Sequence, residues 1–142
     1  MQASRARAYL SFDYEHDLPL RNDLVAQSRH PYSPITIENC SAGRDGTSAN
    51  EAETREMIRR SDLVIVLCGR YTHLAAEVER EVRLAREEAV RCFLLRGQKR
   101  GRVRRPKGTS WFTDTLNPWT PIALEASARE PSWWEAGWWL PR

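Results

Sequence analysis

Cysteine is scarce in this chain, and the three present, Cys40, Cys68 and Cys92, are odd in number and far apart. With no CxxC and no histidine at metal-ligand spacing, they argue against a disulfide framework or a zinc site, and no metal is expected. Cys68 and Cys92 lie in apolar runs, where a thiol is usually a small core residue, so a reduced cytoplasmic setting is expected. Long apolar runs are missing too. None approaches the roughly 20 residues that a membrane helix needs. The opening MQASRARAYL has no long apolar segment with a cleavage site, so neither a signal peptide nor a membrane partner is expected. There is no internal repeat.

An excess of one charge sign is also absent from most of the chain. The formal net charge is only +3 in 142 residues. The stretch RGQKRGRVRRPK, residues 96–107, holds seven basic residues and no acid, so the remainder is net acidic. The basic character is local. Without interleaved aromatics or a recognisable module, it reads as a solvated loop, and no nucleic-acid partner is expected.

What the chain does contain is organised around residues 61–89. Leu63 to Cys68 is an unbroken apolar, β-branched run bounded by Asp62 and Gly69, which predicts a strand buried on both faces. After the turn GRYTH the period becomes helical. Leu74, Val78, Val82, Ala85 and Ala89 form one apolar stripe. At about 100° per residue, Glu81 falls inside that arc, where a surface carboxylate does not belong. Two readings of Glu81 stand side by side: an edge carboxylate paired with arginine, or a functional group facing the core side.

Elsewhere, Ala6 to Ser11 predicts a first strand, running into the polar and aromatic cluster FDYEHD. Asp17 is expected to cap a helix with Pro19 in its first turn and Leu20 and Leu24 on its inner face. That helix should stop before His30-Pro31. Ile35 to Glu38 predicts a second strand. The loop Asn39 to Asn50 carries Gly43 and Gly46 around Arg44-Asp45. Ser48 to Glu51 has capping-box form and opens a helix to about Arg60, with a thin apolar face of Ala52, Met57 and Ile58. Val90 to Leu95 predicts a fourth strand, Ser110 to Thr115 a helical turn around Trp111, and Thr120 to Leu124 an edge strand because of Pro121.

Strands alternating with helices predict an α/β, flavodoxin-like fold, a central parallel sheet of about five strands flanked by helices. Residues 1–125 form that domain. Residues 126–142 form a tail with Trp133, Trp134, Trp138 and Trp139, packing on the domain or on another subunit. Ligands of such sheets bind at the carboxyl ends of the strands, where FDYEHD, NCSAGRDG and GRYTH should converge.

The residues at these loops resemble a known family. AYLSFDYEHD resembles the first box of Toll/interleukin-1 receptor (TIR) domains. GRYTHLAAEVEREVRLA resembles the GxxTxxSxxVxxEI motif of TIR-like proteins related to the Thoeris antiphage subunit. Gly69, Thr72, Val78 and Glu81 match it; Val82 stands for Ile, and Ala75 for Ser. SDLVIVLCG and NCS resemble the neighbouring strand and second-strand loop, so the resemblance spans residues 6–125. It implies an enzyme that cleaves the nicotinamide–ribose bond of NAD+, with NAD+ as substrate and no cofactor. The product is a cyclic or conjugated ADP-ribose signal for a separate effector protein in antiphage defence, made under a phage-derived trigger. Assembly into a homo-oligomer or filament is implied as well.

Glu81 occupies the position of the family's catalytic glutamate. Phe12 would line the nicotinamide pocket beside Ser11 and Asp13, and Tyr14, Ser41, Arg44, Asp45 and Thr72 complete the expected substrate-binding set. Each has an ordinary alternative. Phe12 and Tyr14 can be strand-end packing, Arg44 and Asp45 a solvated turn, and Thr72 a helix cap. The alternative function is a non-catalytic TIR-like scaffold acting by self-association. A receiver-type phosphorylation domain would need an aspartate after the central strand, where Cys68-Gly69 stands. A Rossmann dehydrogenase would need a GxGxxG after the first strand.

Overall fold

The computed structural model describes residues 5–41, 50–97, 101–110 and 114–129. Arg44, Asp45, Ser48, the Trp111 side of the expected turn and the four tail tryptophans lie outside the described residues.

Five strands form one all-parallel sheet in the order β2-β1-β3-β4-β5. They are β1 (Ala6–Phe12), β2 (Ile35–Cys40), β3 (Leu63–Cys68), β4 (Cys92–Arg96) and β5 (Leu116–Asn117). The helices are α1 (Tyr14–Ser28), α2 (Glu51–Arg59), α3 (Ala76–Glu87) and α4 (Pro121–Ala128). This is the flavodoxin-like α/β arrangement expected from the alternation of periods.

β3 occupies the predicted residues, and all six are buried. A central strand covered by helices on both faces has no solvated side, which is why its sequence does not alternate. Side-chain alternation shows instead in β1. Ala8, Leu10 and Phe12 enter a core with Leu24 of α1 and Leu124 of α4, whereas Tyr9 enters the opposite core with Val78, Val82, Leu84 and Ala85 of α3 and Ile58 of α2. Helix α2 is tied to α3 by Arg55 with Glu87 and Glu88, Arg59 with Glu88, and Arg83 with Glu51.

Four sequence expectations are corrected. The cap of α1 is Asp13, whose Oδ1 accepts the Glu15 N–H at 3.1 Å; Asp17 sits at a kink with φ −115° and ψ 18°. Pro19 explains the kink, because its ring crowds the carbonyl four residues back and it offers no N–H to the helix. The cap of α2 is Asn50, which accepts the Glu53 N–H at 2.9 Å, and the inner face is Thr54 and Ile58 with Ala52 exposed.

The third correction concerns the α3 stripe. Leu74 belongs to a 3-10 turn, Thr72–Leu74, and is 66% exposed, while Ala89 lies beyond the helix with φ 56°. Helical phase does not extend past the helix ends, and Leu84, outside the stripe, is fully buried instead. Finally, Thr120 to Leu124 is not a strand. Thr120 accepts the Ala123 N–H at 3.1 Å and caps α4, with Pro121 at its first position, and the edge strand is Leu116–Asn117. A proline at the first turn of a helix costs no hydrogen bond, so the residue that suggested an edge strand opens a helix.

Candidate active site

Three elements converge on one carboxylate. Glu81 faces the sheet from the second turn of α3 and is 1% exposed. Its Oε1 accepts hydrogen bonds from Ser11 Oγ at 2.7 Å and Ser41 Oγ at 2.5 Å, and its Oε2 accepts one from Tyr9 Oη. Tyr9 and Ser11 are two residues apart on β1, so they point to the same face. Ser41 follows β2, and its hydroxyl oxygen also accepts the Phe12 N–H at 3.0 Å.

Burial raises the Glu81 pKa above the ordinary carboxylate range, and the hydroxyls of Ser41, Tyr9 and Ser11 pull it back, with a smaller pull from the Arg80 charge. The same burial, with the Glu81 charge beside it, drives the Tyr9 phenol upward, in keeping with its role as donor to Glu81. The Arg80 charge reaches both Glu81 and Tyr9, and its Nε is buried without a hydrogen-bond partner among the described residues. A carboxylate held by three hydroxyl donors is fixed in orientation. It can stabilise a positive charge developing nearby or accept a hydrogen bond from a sugar hydroxyl.

The expected site residues separate into two groups. Glu81, Ser11 and Ser41 are brought into direct contact, and Phe12 joins them only through its backbone N–H. The Phe12 ring is fully buried on the other face of the sheet, 5.8 Å from the Tyr14 ring and with the Arg21 guanidinium 5.6 Å from its centroid. Asp13 is occupied with the α1 cap and with His16 Nδ1 at 2.6 Å, a bond that raises the His16 pKa. Thr72 Oγ1 accepts the Gly69 N–H at 2.7 Å and closes the turn after β3.

Beside Thr72, burial and the neighbouring Asp13 push the Asp17 carboxyl up to about 6. This carboxyl lies against Gly69, where an added Cβ would sit 2.2 Å from Asp17 Oδ2. Tyr9 was not among the expected site residues. Its signal was the period of two along β1, which puts it on the Ser11 face.

Among the described residues, no group of three or more His, Cys, Asp or Glu could hold a metal ion, and no helix is long and apolar enough to cross a membrane. Burial pushes the Cys68 thiol up to about 12 and the Cys92 thiol to about 11, so both behave as packing residues. A cavity of about 940 Å³ lies near the amino end of β2, between α1 and α4, and shares no residue with the Glu81 cluster. No protein-family model matches the chain, and no curated protein matches it.

Proposed function

We propose that the protein is a TIR-like enzyme that cleaves the nicotinamide–ribose bond of NAD+, with Glu81 as its catalytic carboxylate. The observation that supports this reading is the inward-facing Glu81 held by Tyr9, Ser11 and Ser41 near the carboxyl ends of β1 and β2. Cleavage breaks the bond between ribose C1′ and the pyridinium nitrogen, and the electron pair leaves with neutral nicotinamide. Positive charge then develops on the ribose, which a fixed carboxylate stabilises, as in glycoside hydrolysis. Nicotinamide leaves without protonation, so a second carboxylate acting as acid is not required. Water capturing C1′ gives ADP-ribose and a proton; a nucleophile within the same molecule gives a cyclic product and a proton.

In this reading the ribose hydroxyls replace serine hydroxyls as donors to Glu81, and Ser41 moves aside to admit them. The product serves as a signal to a separate effector in antiphage defence, and the enzyme works as a homo-oligomer.

A second reading is favoured by the near-complete enclosure of Glu81. Here the carboxylate is a structural pin joining β1, the end of β2 and α3 in a non-catalytic scaffold that acts by self-association.

NAD+ consumption in cells under phage challenge, wild type against Glu81→Gln, decides between them. Nicotinamide release with a new ADP-ribose species, lost in the variant, is the expected result. Equal turnover in both would remove Glu81 from catalysis. Protection from phage with no NAD+ loss in either would select the scaffold.

A further inference from the structure

We propose that a basic pocket over the carboxyl end of β3 binds the phosphate groups of a nucleotide. The pocket has a volume of about 420 Å³ and is lined by Arg70, Tyr71, His73, Leu74, Arg102 and Arg104. It shares no residue with the Glu81 cluster, although its Tyr71 and His73 flank Thr72 in the turn after β3.

What sets this place apart is that three guanidiniums line one concavity. On the face formed by α2 and α3, Arg55, Arg59 and Arg83 each meet a carboxylate within salt-bridge distance. Arg70, Arg102 and Arg104 have no carboxylate partner among the described residues. Three like charges lining one concavity repel one another and focus a positive potential into it, which an anion relieves. His73 also lines the pocket, with its Nδ1 buried and without a hydrogen-bond partner among the described residues. Guanidinium groups bind oxyanions through paired N–H donors, so the chemistry of this lining suits a phosphate.

The pocket is also built. Arg104 N–H donates to Gly69 O at 2.8 Å, fastening the basic segment to the end of β3, and Arg96 Nη2 donates to Gly101 O at 3.0 Å. Its remaining wall is apolar. Tyr71 is 40% exposed and packs one side against the His16 ring at 4.6 Å, and Leu74 is 66% exposed. An exposed aromatic ring and a leucine beside three guanidiniums suit a ligand that joins phosphate to a flat heterocycle. The volume lies within the range of about 300–1,000 Å³ usual for small-molecule sites, which favours a nucleotide over an extended polymer.

Calorimetric titration of the full chain with ADP tests this, with adenosine, inorganic pyrophosphate and single-stranded oligonucleotides as parallel probes. ADP should bind saturably at one site, pyrophosphate should compete, and adenosine should bind at least about tenfold more weakly. Arg70→Ala and Arg102→Ala should each weaken ADP about tenfold, the loss expected of one charge-assisted contact. Both residues are exposed, so circular dichroism and the melting temperature should match wild type. Arg102→Lys keeps the charge without the planar fork and should fall between wild type and Arg102→Ala. ADP binding that is absent, or unchanged in both alanine variants, overturns the proposal. So does an oligonucleotide affinity that climbs with length while ADP fails to bind, since that identifies a nucleic-acid backbone contact.

Discussion

The Ser41 hydroxyl lies 2.5 Å from Glu81 Oε1 across forty residues of chain. That single contact ties the end of β2 to α3. Because the same hydroxyl accepts the Phe12 N–H, it also ties both to β1. A buried carboxylate satisfied from three directions rigidifies its surroundings, and removing one donor leaves charge exposed to a low-dielectric interior. The consequences are measurable.

Removing a donor should cost stability and raise the Glu81 pKa further. Tyr9→Phe and Ser41→Ala are each expected to lose about 1–3 kcal/mol in urea unfolding near neutral pH, the usual cost of a missing partner to a charged group. The loss should shrink on acidification, as the Glu81 carboxyl takes up a proton and no longer needs three donors. A loss that stays constant with pH would mean that packing, not charge, dominates.

Glu81 itself should tilt the stability profile. Its folded pKa is raised by burial, so the folded state binds the proton more tightly than the unfolded state. Stability from this group is therefore greatest below its unfolded pKa of about 4.3 and falls as pH rises toward the folded value. Glu81→Gln, nearly the same shape, should flatten that part of the curve. Denaturant midpoints measured at half-unit pH intervals would show it.

Asp17 and Gly69 make a coupled pair. The Asp17 pKa is raised from 3.8 to about 6, so ionisation costs stability across that window, and the cost is fully present above it. Asp17→Asn should gain stability of the order of 1 kcal/mol at pH 7 and remove the dependence between pH 4 and 6. Gly69→Ala should destabilise by about 1–3 kcal/mol, because its Cβ would meet the Asp17 carboxyl at 2.2 Å. Shortening that side chain in the double variant Asp17→Ala, Gly69→Ala should recover most of the loss in a double-mutant cycle.

Leu84 and Leu74 should respond oppositely to truncation. Leu84 is fully buried among α3, β3 and β4 residues, so Leu84→Ala should cost about 2–5 kcal/mol. Leu74 is 66% exposed, and Leu74→Ala should stay within about 0.5 kcal/mol of wild type. Thermal or chemical unfolding of the two variants is sufficient.

The residues themselves determined the fold class and the inward direction of Glu81. A six-residue apolar, β-branched run has no solvated face to offer, so Leu63 to Cys68 reads as a central strand, and that is what it forms. Glu81 shares helical phase with Val78, Val82 and Ala85, and phase inside a helix is fixed by local geometry. Local pattern failed where an element ended. Leu74 kept the period of α3 on paper but lies before its first residue, and TPIAL serves an edge strand as readily as the first turn of a helix.

Tertiary structure alone decided what Glu81 touches. Tyr9 lies 72 residues from Glu81 and Ser41 lies 40, separations at which no sequence period carries information. Their meeting follows from the strand order, which sets β1 beside both β2 and β3 and lays α3 across the face that Tyr9 and Ser11 share. The same packing sent the Phe12 ring to the opposite core, because neighbouring residues of a strand cannot share a face.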